Sequence, residues 1–292
     1  MRILITGATG YVGQNFIPKL ISLNAEIKIL TVNLTVEKAS KLYPSPQCNH
    51  ISTEEIDKIA EFDPEIVYHL ATLSTSRNDT DIISSLISAN IEFGVKLLDS
   101  LKNCKNIRIF VNFGSFAEYR LGPQKINDAY LYTATKSAFR CFVDYYSNLV
   151  GFKYITLIPY TVYGGKGTAK KLIDFIKDSI DSVEPVNMTK GEQILDFIHI
   201  EDVVSFLILI YEKISKFESL KNGEEFHLGT GKGTKVKDLA KMIEIFYNKK
   251  CNVNWGGIPY RPMDTMYAVA PIAKNIEILD WKTTLAIEER LD

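Results

Sequence analysis

The chain is 292 residues long, 46% hydrophobic and 24% charged, the proportions of an ordinary folded protein with room for a sizeable core. Its 34 Lys and Arg nearly balance 35 Asp and Glu, for a formal net charge of -1, so no broad basic field invites nucleic acid or an anionic membrane. The four cysteines, Cys48, Cys104, Cys141 and Cys251, make no C-x-x-C pair and the four histidines are dispersed, which argues against a metal site and for reduced thiols. No apolar run approaches the ~20 residues of a membrane span, and the N-terminus enters a strand almost at once, with no room for a signal peptide. The expectation is a soluble, cytoplasmic protein with neither nucleic-acid nor membrane partners.

RILIT predicts a strand and Tyr11 to Leu23 a helix, followed by EIKILTV as a second strand. After an irregular polar stretch, TEEIDKIAEF predicts a helix and EIVYHLA a third strand. A helix from Asp81 to Leu101 precedes the strand IRIFVNFGS, and YLYTATKSAFRCFVDYYSNLV has helical spacing before the strand FKYITLIPY. This alternation predicts an α/β fold: a doubly wound parallel sheet with helices on both faces. Beyond Tyr163 the rhythm breaks into short strands and helices, with GEEFHLGTG as a late strand and VKDLAKMIEIFYN as a helix. No repeat or low-complexity linker interrupts the chain. The expected organisation is a Rossmann domain of residues 1–163 with 193–230, and a smaller C-terminal α/β substrate domain of residues 164–192 with 231–292.

Gly7, Gly10 and Gly13 stand three apart between the first strand and the first helix. In that setting the first glycine permits a tight turn and the second admits a pyrophosphate close to the backbone. The third lets helix and strand pack closely, while the helix N-terminus favours negative charge. A dinucleotide is the expected ligand; a glycine turn that holds nothing is the alternative. NAD-binding strands commonly end on an acid roughly 20 residues past the glycines. Here that position is Thr31, with Asn33 beyond it and Lys38 as the next cation along the chain. A carboxylate would repel a 2′-phosphate and a threonine would not, while Thr31 and Asn33 could donate hydrogen bonds to it, so NADPH is expected over NAD.

Tyr132 and Lys136 are four apart in YTATK, a spacing that puts both on one helix face. A cation beside a phenol favours the phenolate, so Lys136 equips Tyr132 to pass a proton to or from an alcohol oxygen. Ser115 lies at the C-terminal end of the strand IRIFVNFGS, the edge at which parallel sheets bind ligands.

With these residues in view the chain resembles the extended short-chain dehydrogenase/reductase family, in its nucleotide-sugar branch (the NAD-dependent epimerases and dehydratases). The resemblance runs through TGATGYVG, the HLAT segment, Asn90 in ANIEFGVKLL, Ser115, the Tyr132/Lys136 pair, PYTVYGG, GEQILDFIHIEDVV, FHLGTGKGTKVKDL and YRPMDTM. It implies Ser115, Tyr132 and Lys136 as the catalytic set. Cofactor contacts are implied at Gly7, Thr9, Gly10, Tyr11, Val12, Gly13, Thr31, Asn33, Leu70, Ala71, Thr72, Asn90, Tyr132, Lys136, Pro159 and Val162. Substrate contacts are implied at Ser115, Phe116, Gln193 and Arg261, the last on the diphosphate, where an arginine fork suits phosphate oxygens. The two long helices around Asn90 and Lys136 form the dimer interface in many relatives, so a homodimer is expected.

Departures from the family pattern narrow the reaction. Dehydratases place Asp-Glu directly after the Ser/Thr, where this chain has Phe116 and Ala117. The cysteine that fucose-synthase-like members use for carbon-bound protons is missing too. What is left is hydride transfer at a sugar carbon. The tail looks most like CDP-abequose synthase-type reductases of bacterial surface-polysaccharide pathways, and an NADPH-dependent 4-ketoreductase acting on an NDP-4-keto-6-deoxyhexose is the leading reading. An NAD-dependent NDP-hexose 4-epimerase is the second, and a non-catalytic dinucleotide sensor the third. Two arginines usual in relatives are replaced by Leu195 and Ile158, so that one phosphate contact is either absent or supplied by Lys170 or Lys171. His69 and His199, each in an apolar strand, read as structural histidines. Asp202 reads as a helix N-cap, and Tyr145 and Tyr146 as helix-packing residues.

Overall fold

Ile3, Leu4 and Ile5 are wholly buried in β1 (Arg2–Thr6). A strand covered on both faces has no solvent side, which is why its apolar run is continuous. Elements are numbered through the whole chain, and the computed structural model describes residues 1–167 and 170–291. After β1 come α1 (Tyr11–Leu23), β2 (Lys28–Asn33), α2 (Val36–Leu42), β3 (Cys48–Ser52), α3 (Ile59–Phe62), β4 (Ile66–His69), α4 (Ile83–Ile87), α5 (Phe93–Ser100), β5 (Ile109–Phe113), α6 (Leu131–Val150) and β6 (Lys153–Pro159). With β11 (Glu224–Leu228) these strands make a seven-stranded sheet ordered β11-β6-β5-β4-β1-β2-β3. Every pairing from β3 across to β6 is parallel. The chain winds outward from β1 in both directions, so the switch point lies between β1 and β4, where open α/β sheets bind their ligands.

Two compact units divide the chain. The first comprises residues 1–115, 130–158 and 204–226 and holds the large sheet. Its core includes Leu97, Leu98, Leu101, Phe139, Val143 and Phe152 packed with Leu4, Val67 and Phe110 of the sheet. The second takes residues 116–129, 159–203 and 227 onward. It therefore includes residues 116–129, 159–163, 193–203 and 227–230, which the sequence placed with the nucleotide-binding domain.

Three elements differ from the sequence reading. The polar stretch is not irregular: β3 pairs with β2 from Cys48 to Ser52. It is an edge strand, and its residues Asn49 and His50 are not fully buried, so no apolar alternation announced it. The helix expected from Thr53 to Phe62 is a 3₁₀ turn followed by the four-residue α3. The helix expected from Asp81 to Leu101 is broken by a π turn, Ser88–Glu92, between α4 and α5.

The second unit is built from small pairings. β7 (Thr161–Tyr163) pairs with β10 (Phe197–His199). β9 (Ile194–Leu195) sits between β12 (Thr234–Lys235) and β14 (Tyr267–Ala268). β8 (Val186–Met188) pairs with β13 (Val253–Trp255). The remaining helices are α7 (Leu172–Ser179), α8 (Ile200–Glu212), α9 (Ile214–Glu218), α10 (Val236–Tyr247) and α11 (Ala273–Leu279), of which α9 and the part of α8 from Val204 onward belong to the first unit.

Elements this short lean on buried carboxylates. Asp196, fully buried, accepts hydrogen bonds from the Thr230 amide and hydroxyl at 2.8 and 2.7 Å, the Gly231 amide at 2.9 Å and the Ala270 amide at 3.1 Å. Gly229 beside it has no room for a side chain, because a Cβ would lie 2.6 Å from the Asp196 carboxylate.

Asp202 departs from the N-cap reading. It lies inside the first turn of α8, and its carboxylate accepts from the Thr284 amide and hydroxyl at 2.9 and 3.0 Å and from the Leu285 amide at 3.3 Å. It anchors the C-terminal segment instead of starting a helix. Removing such an acceptor strands buried donors. Asp202→Ala should lower the unfolding free energy in urea by about 2 kcal/mol or more, and Asp202→Asn, whose amide oxygen still accepts, by roughly half as much. Equal losses in the two variants would contradict the anchor.

Candidate active site

The glycine turn closes on itself and on β4. Gly7 has φ +69°, and a Cβ there would meet the Ala71 nitrogen at 2.6 Å. A Cβ on Gly13 would lie 2.4 Å from the Ala8 carbonyl oxygen. Gly10 differs: it is exposed, and a Cβ would meet only the Gly7 carbonyl, at 3.1 Å. The outer face of the turn is thus open where the other two glycines are packed. Gly10 is also the N-cap of α1, and no side chain caps that helix. An exposed glycine at a side-chain-free helix N-terminus fits a pyrophosphate.

Thr6 ties the turn to the loop after β4. Its hydroxyl accepts from the Ala71 amide at 3.1 Å and lies 2.9 Å from Nδ1 of His69, while the Leu70 amide donates to the Thr6 carbonyl at 3.3 Å. Leu70 and Ala71 therefore lie against the turn, at the switch point. Thr9, Tyr11 and Val12 follow Gly7 around it, all half-buried.

Asn90 sits in the π turn. Its side-chain oxygen accepts from the Thr72 hydroxyl at 3.0 Å and the Leu73 amide at 2.7 Å, and its nitrogen donates to the Leu73 carbonyl at 3.1 Å and the Thr135 hydroxyl at 2.9 Å. Those four bonds are the ordinary capacity of an amide. Through them Asn90 holds the loop of residues 70–73 to α6. Thr135 in turn donates to the Tyr132 carbonyl at 2.6 Å. Asn78 accepts from the Leu131 amide at 3.0 Å, at the first residue of α6.

Tyr132 and Lys136 occupy successive turns of α6, with Lys136 buried to 3% exposure and Tyr132 half-buried. Ser115 lies just past the end of β5, and the Gly114 amide before it donates to the Leu157 carbonyl of β6 at 2.8 Å. All three expected catalytic residues belong to the first unit. His69, wholly buried among Phe93, Phe110 and Phe139, has its pKa pushed down to about 3 by burial and, secondarily, by the Lys136 charge. It is a neutral packing residue.

The end of β2 is where the sequence reading changes most. Thr31 is fully buried, with its hydroxyl 2.7 Å from Nδ1 of His50 and accepting from the Asn33 amide nitrogen at 2.8 Å. It does not present a donor to a 2′-phosphate, and that support for NADPH falls away. Asn33 is the last residue of the strand, and its side-chain oxygen is buried without a hydrogen-bond partner. Lys38 is exposed on α2. An orphaned acceptor at this strand end fits a ribose of the expected dinucleotide.

The other expected residues lie in the second unit. Pro159 and Val162 are half-buried at the end of β6 and in β7. Phe116 stacks on Tyr160 with ring centroids 5.8 Å apart. Gln193 accepts from the Thr189 hydroxyl at 3.2 Å and donates to Asp264 at 3.4 Å. Arg261 is exposed, in a turn closed by the Asp264 amide on the Arg261 carbonyl at 3.1 Å. Lys170 is engaged with Asp178 at 2.6 Å, and burial lowers the pKa of Lys171. His199 is buried against Tyr163 and so close to Gly164 that a Cβ there would lie 2.1 Å from its ring.

The sequence missed Tyr43, His50, Asn78 and Thr135. Each acts through hydrogen bonds to a distant segment or a backbone group, and no motif spacing signals that.

A model of the NAD dependent epimerase/dehydratase family matches residues 3–229. The chain is 28% identical over 271 residues to the CDP-abequose synthase of Yersinia pseudotuberculosis, covering 91% of each protein. It is 26% identical over 286 residues to the CDP-abequose synthase of Salmonella typhimurium, covering 96% of this chain and 92% of that one. Its fold is shared with the UDP-glucuronic acid 4-epimerase of Bacillus cereus, solved with UDP-glucuronic acid and NAD, at a TM-score of 0.86 and 20% identity over 100% of this chain and 96% of the other.

The neutral His69 has a measurable consequence. Its folded-state pKa lies below the unfolded value, so the unfolded chain binds the extra proton first and stability falls as pH drops below about 6.5. Between about pH 7.5 and 5 this group alone should lose about 2 kcal/mol of stability. His69→Asn should flatten that part of the urea-unfolding pH profile. An unchanged profile would show that another group carries the slope.

Proposed function

The chain belongs to the NAD dependent epimerase/dehydratase family, and from there we propose that it reduces the 4-keto group of a CDP- or dTDP-linked 4-keto-6-deoxyhexose for bacterial surface-polysaccharide synthesis. The observation that carries this reading is the end-to-end similarity to CDP-abequose synthases, joined to a Ser, Tyr and Lys held in one compact unit. A reduced nicotinamide dinucleotide, its pyrophosphate held at the glycine turn, would supply the hydride. Tyr132 gives its phenolic proton to the ketone oxygen as that oxygen gains charge, so hydride and proton together turn C=O into CH–OH. Ser115 donates a hydrogen bond to the same oxygen and stabilises the developing charge. Lys136, on the same face of α6, favours the phenolate left behind.

Phe116 and Ala117 follow Ser115, and neither can carry a proton, so elimination of water finds no acid or base there. Phe116 and Gln193 border the sugar nucleotide in this reading, and Arg261 takes its diphosphate, a role that exposure on a turn permits. The second reading, an NDP-hexose 4-epimerase, is favoured by one observation: the orphaned acceptor of Asn33, which suits NAD. A homodimer through α4 and α6 accounts for the exposed apolar side chains Ile83, Ile87, Phe142, Tyr145 and Leu149 on those helices. Tyr146 beside them is buried, its hydroxyl donating to Asp99 at 2.9 Å.

Offered a CDP- or dTDP-4-keto-6-deoxyhexose, the protein should consume one reduced dinucleotide per sugar, read by absorbance and product mass. Turnover between 4-epimers without net consumption would replace the reductase with the epimerase. Tyr132→Phe should lower kcat by about a thousandfold with dinucleotide affinity kept within about twofold. A variant that kept full activity would remove Tyr132 from the chemistry. Tyr145→Asp combined with Phe142→Asp should give a monomer by light scattering, since two buried charges on an apolar interface are costly. A dimer that survived would place the contact elsewhere.

A further inference from the structure

The hydrogen bonds behind Asn33 run in one direction, and that direction bears on which dinucleotide the chain selects. Nε2 of His50 lies 3.2 Å from the Tyr43 carbonyl oxygen. A carbonyl only accepts, so in the neutral imidazole the proton sits on Nε2 and Nδ1 is an acceptor. The Thr31 hydroxyl, 2.7 Å from that Nδ1, must therefore donate to it. Having given its only hydrogen, the hydroxyl can only accept from its other neighbour, the Asn33 side chain at 2.8 Å. That bond must then come from the NH₂ group of Asn33. The remaining face of the amide is its oxygen, which is buried and has no partner.

Two observations make this relay rigid. Thr31 is wholly buried and Asn33 is 5% exposed, so neither exchanges its partner for water. Tyr43 is pinned at its other end, its hydroxyl donating to the Ala8 carbonyl of the glycine turn at 2.7 Å. The residue that orients His50 is thus fixed to the same turn that fits a pyrophosphate. Turning the Asn33 amide over would set its oxygen toward a hydroxyl that has no hydrogen left to give.

We propose that Asn33 is the cofactor-specificity residue of this chain, its side-chain oxygen accepting a hydrogen bond from a ribose hydroxyl of the adenosine half, so that NAD(H) is preferred to NADP(H). A 2′-hydroxyl donates to such an oxygen. A 2′-phosphate brings acceptor oxygens against it and leaves it unsatisfied. A neutral amide therefore does here what a carboxylate does in other dinucleotide folds, and Thr31, His50 and Tyr43 act as its positioning residues. The inference rests on the dinucleotide reading of the glycine turn, and it reverses the preference that the residue at position 31 suggested by its type alone.

The test is a fluorescence titration of the purified full chain with NADH and with NADPH, without substrate. NADH should bind about tenfold more tightly or better, the scale of one satisfied against one stranded buried acceptor. Thr31→Val keeps the shape and burial but cuts the relay. The amide is then free to turn, and the NADH to NADPH affinity ratio should fall to within about threefold of unity. Asn33→Asp keeps the acceptor and adds charge, so its ratio should rise above that of the unaltered chain even if Thr31→Val folds poorly. Equal or tighter NADPH binding by the unaltered chain, or a ratio that Thr31→Val leaves unchanged, overturns the inference and leaves the dinucleotide reading standing. Binding of neither nucleotide at about 1 mM overturns both.

Discussion

The missing side chain of Gly7 is the constraint on which the rest of the first unit depends. With φ +69° and the Ala71 nitrogen 2.6 Å from where a Cβ would stand, no other residue lets the end of β1 meet the loop after β4. That approach is what brings the Thr6 hydroxyl to the Ala71 amide and to His69. From the same loop, Thr72 and Leu73 reach Asn90, and Asn90 reaches Thr135 on the helix of Tyr132 and Lys136. One close backbone contact at the switch point is thus connected, bond by bond, to the groups that would move a proton.

A buried lysine needs a setting that does not compete for its charge. His69 meets that need by staying neutral: burial and the Lys136 charge both oppose its protonation. The two residues share a region lined by aromatic rings, where an imidazolium beside an ammonium would be strongly disfavoured. The packing around His69 thereby keeps a second positive charge away from Lys136.

At the end of β2 the proposed ribose contact calls for an acceptor, which different chemistries can supply. A carboxylate there is an acceptor by its nature and needs nothing behind it. An amide is an acceptor on one side and a donor on the other, so which side faces outward must be imposed. Here the imposition comes from the Thr31 hydroxyl, His50 on the edge strand β3, and the backbone of Tyr43. Asp196 makes a parallel case in the second unit, where a single carboxylate organises the backbone of Thr230, Gly231 and Ala270. In both places a few polar groups do locally what a larger apolar core does elsewhere.

The linear sequence determined the parts that depend on local pattern. The buried strand before three spaced glycines, the Tyr132/Lys136 pair on one helix face and Ser115 at a strand end were all legible, because each rests on a period or a spacing along the chain. So was the doubly wound sheet, from the alternation of strands and helices. What the sequence could not disclose was direction and partnership. It offered Thr31 as a donor by residue type, yet burial and His50 turn that hydroxyl inward. It gave no sign that Asn90 ties the loop of residues 72–73 to Thr135, because those partners lie 17 to 45 positions away. It read Asp202 as a cap, yet the carboxylate holds Thr284 and Leu285, more than eighty positions away in the chain. The polar edge strand β3 left no period to detect. Hydrogen-bond capacity is a property of the residue, but how it is used depends on neighbours brought together only by the tertiary fold.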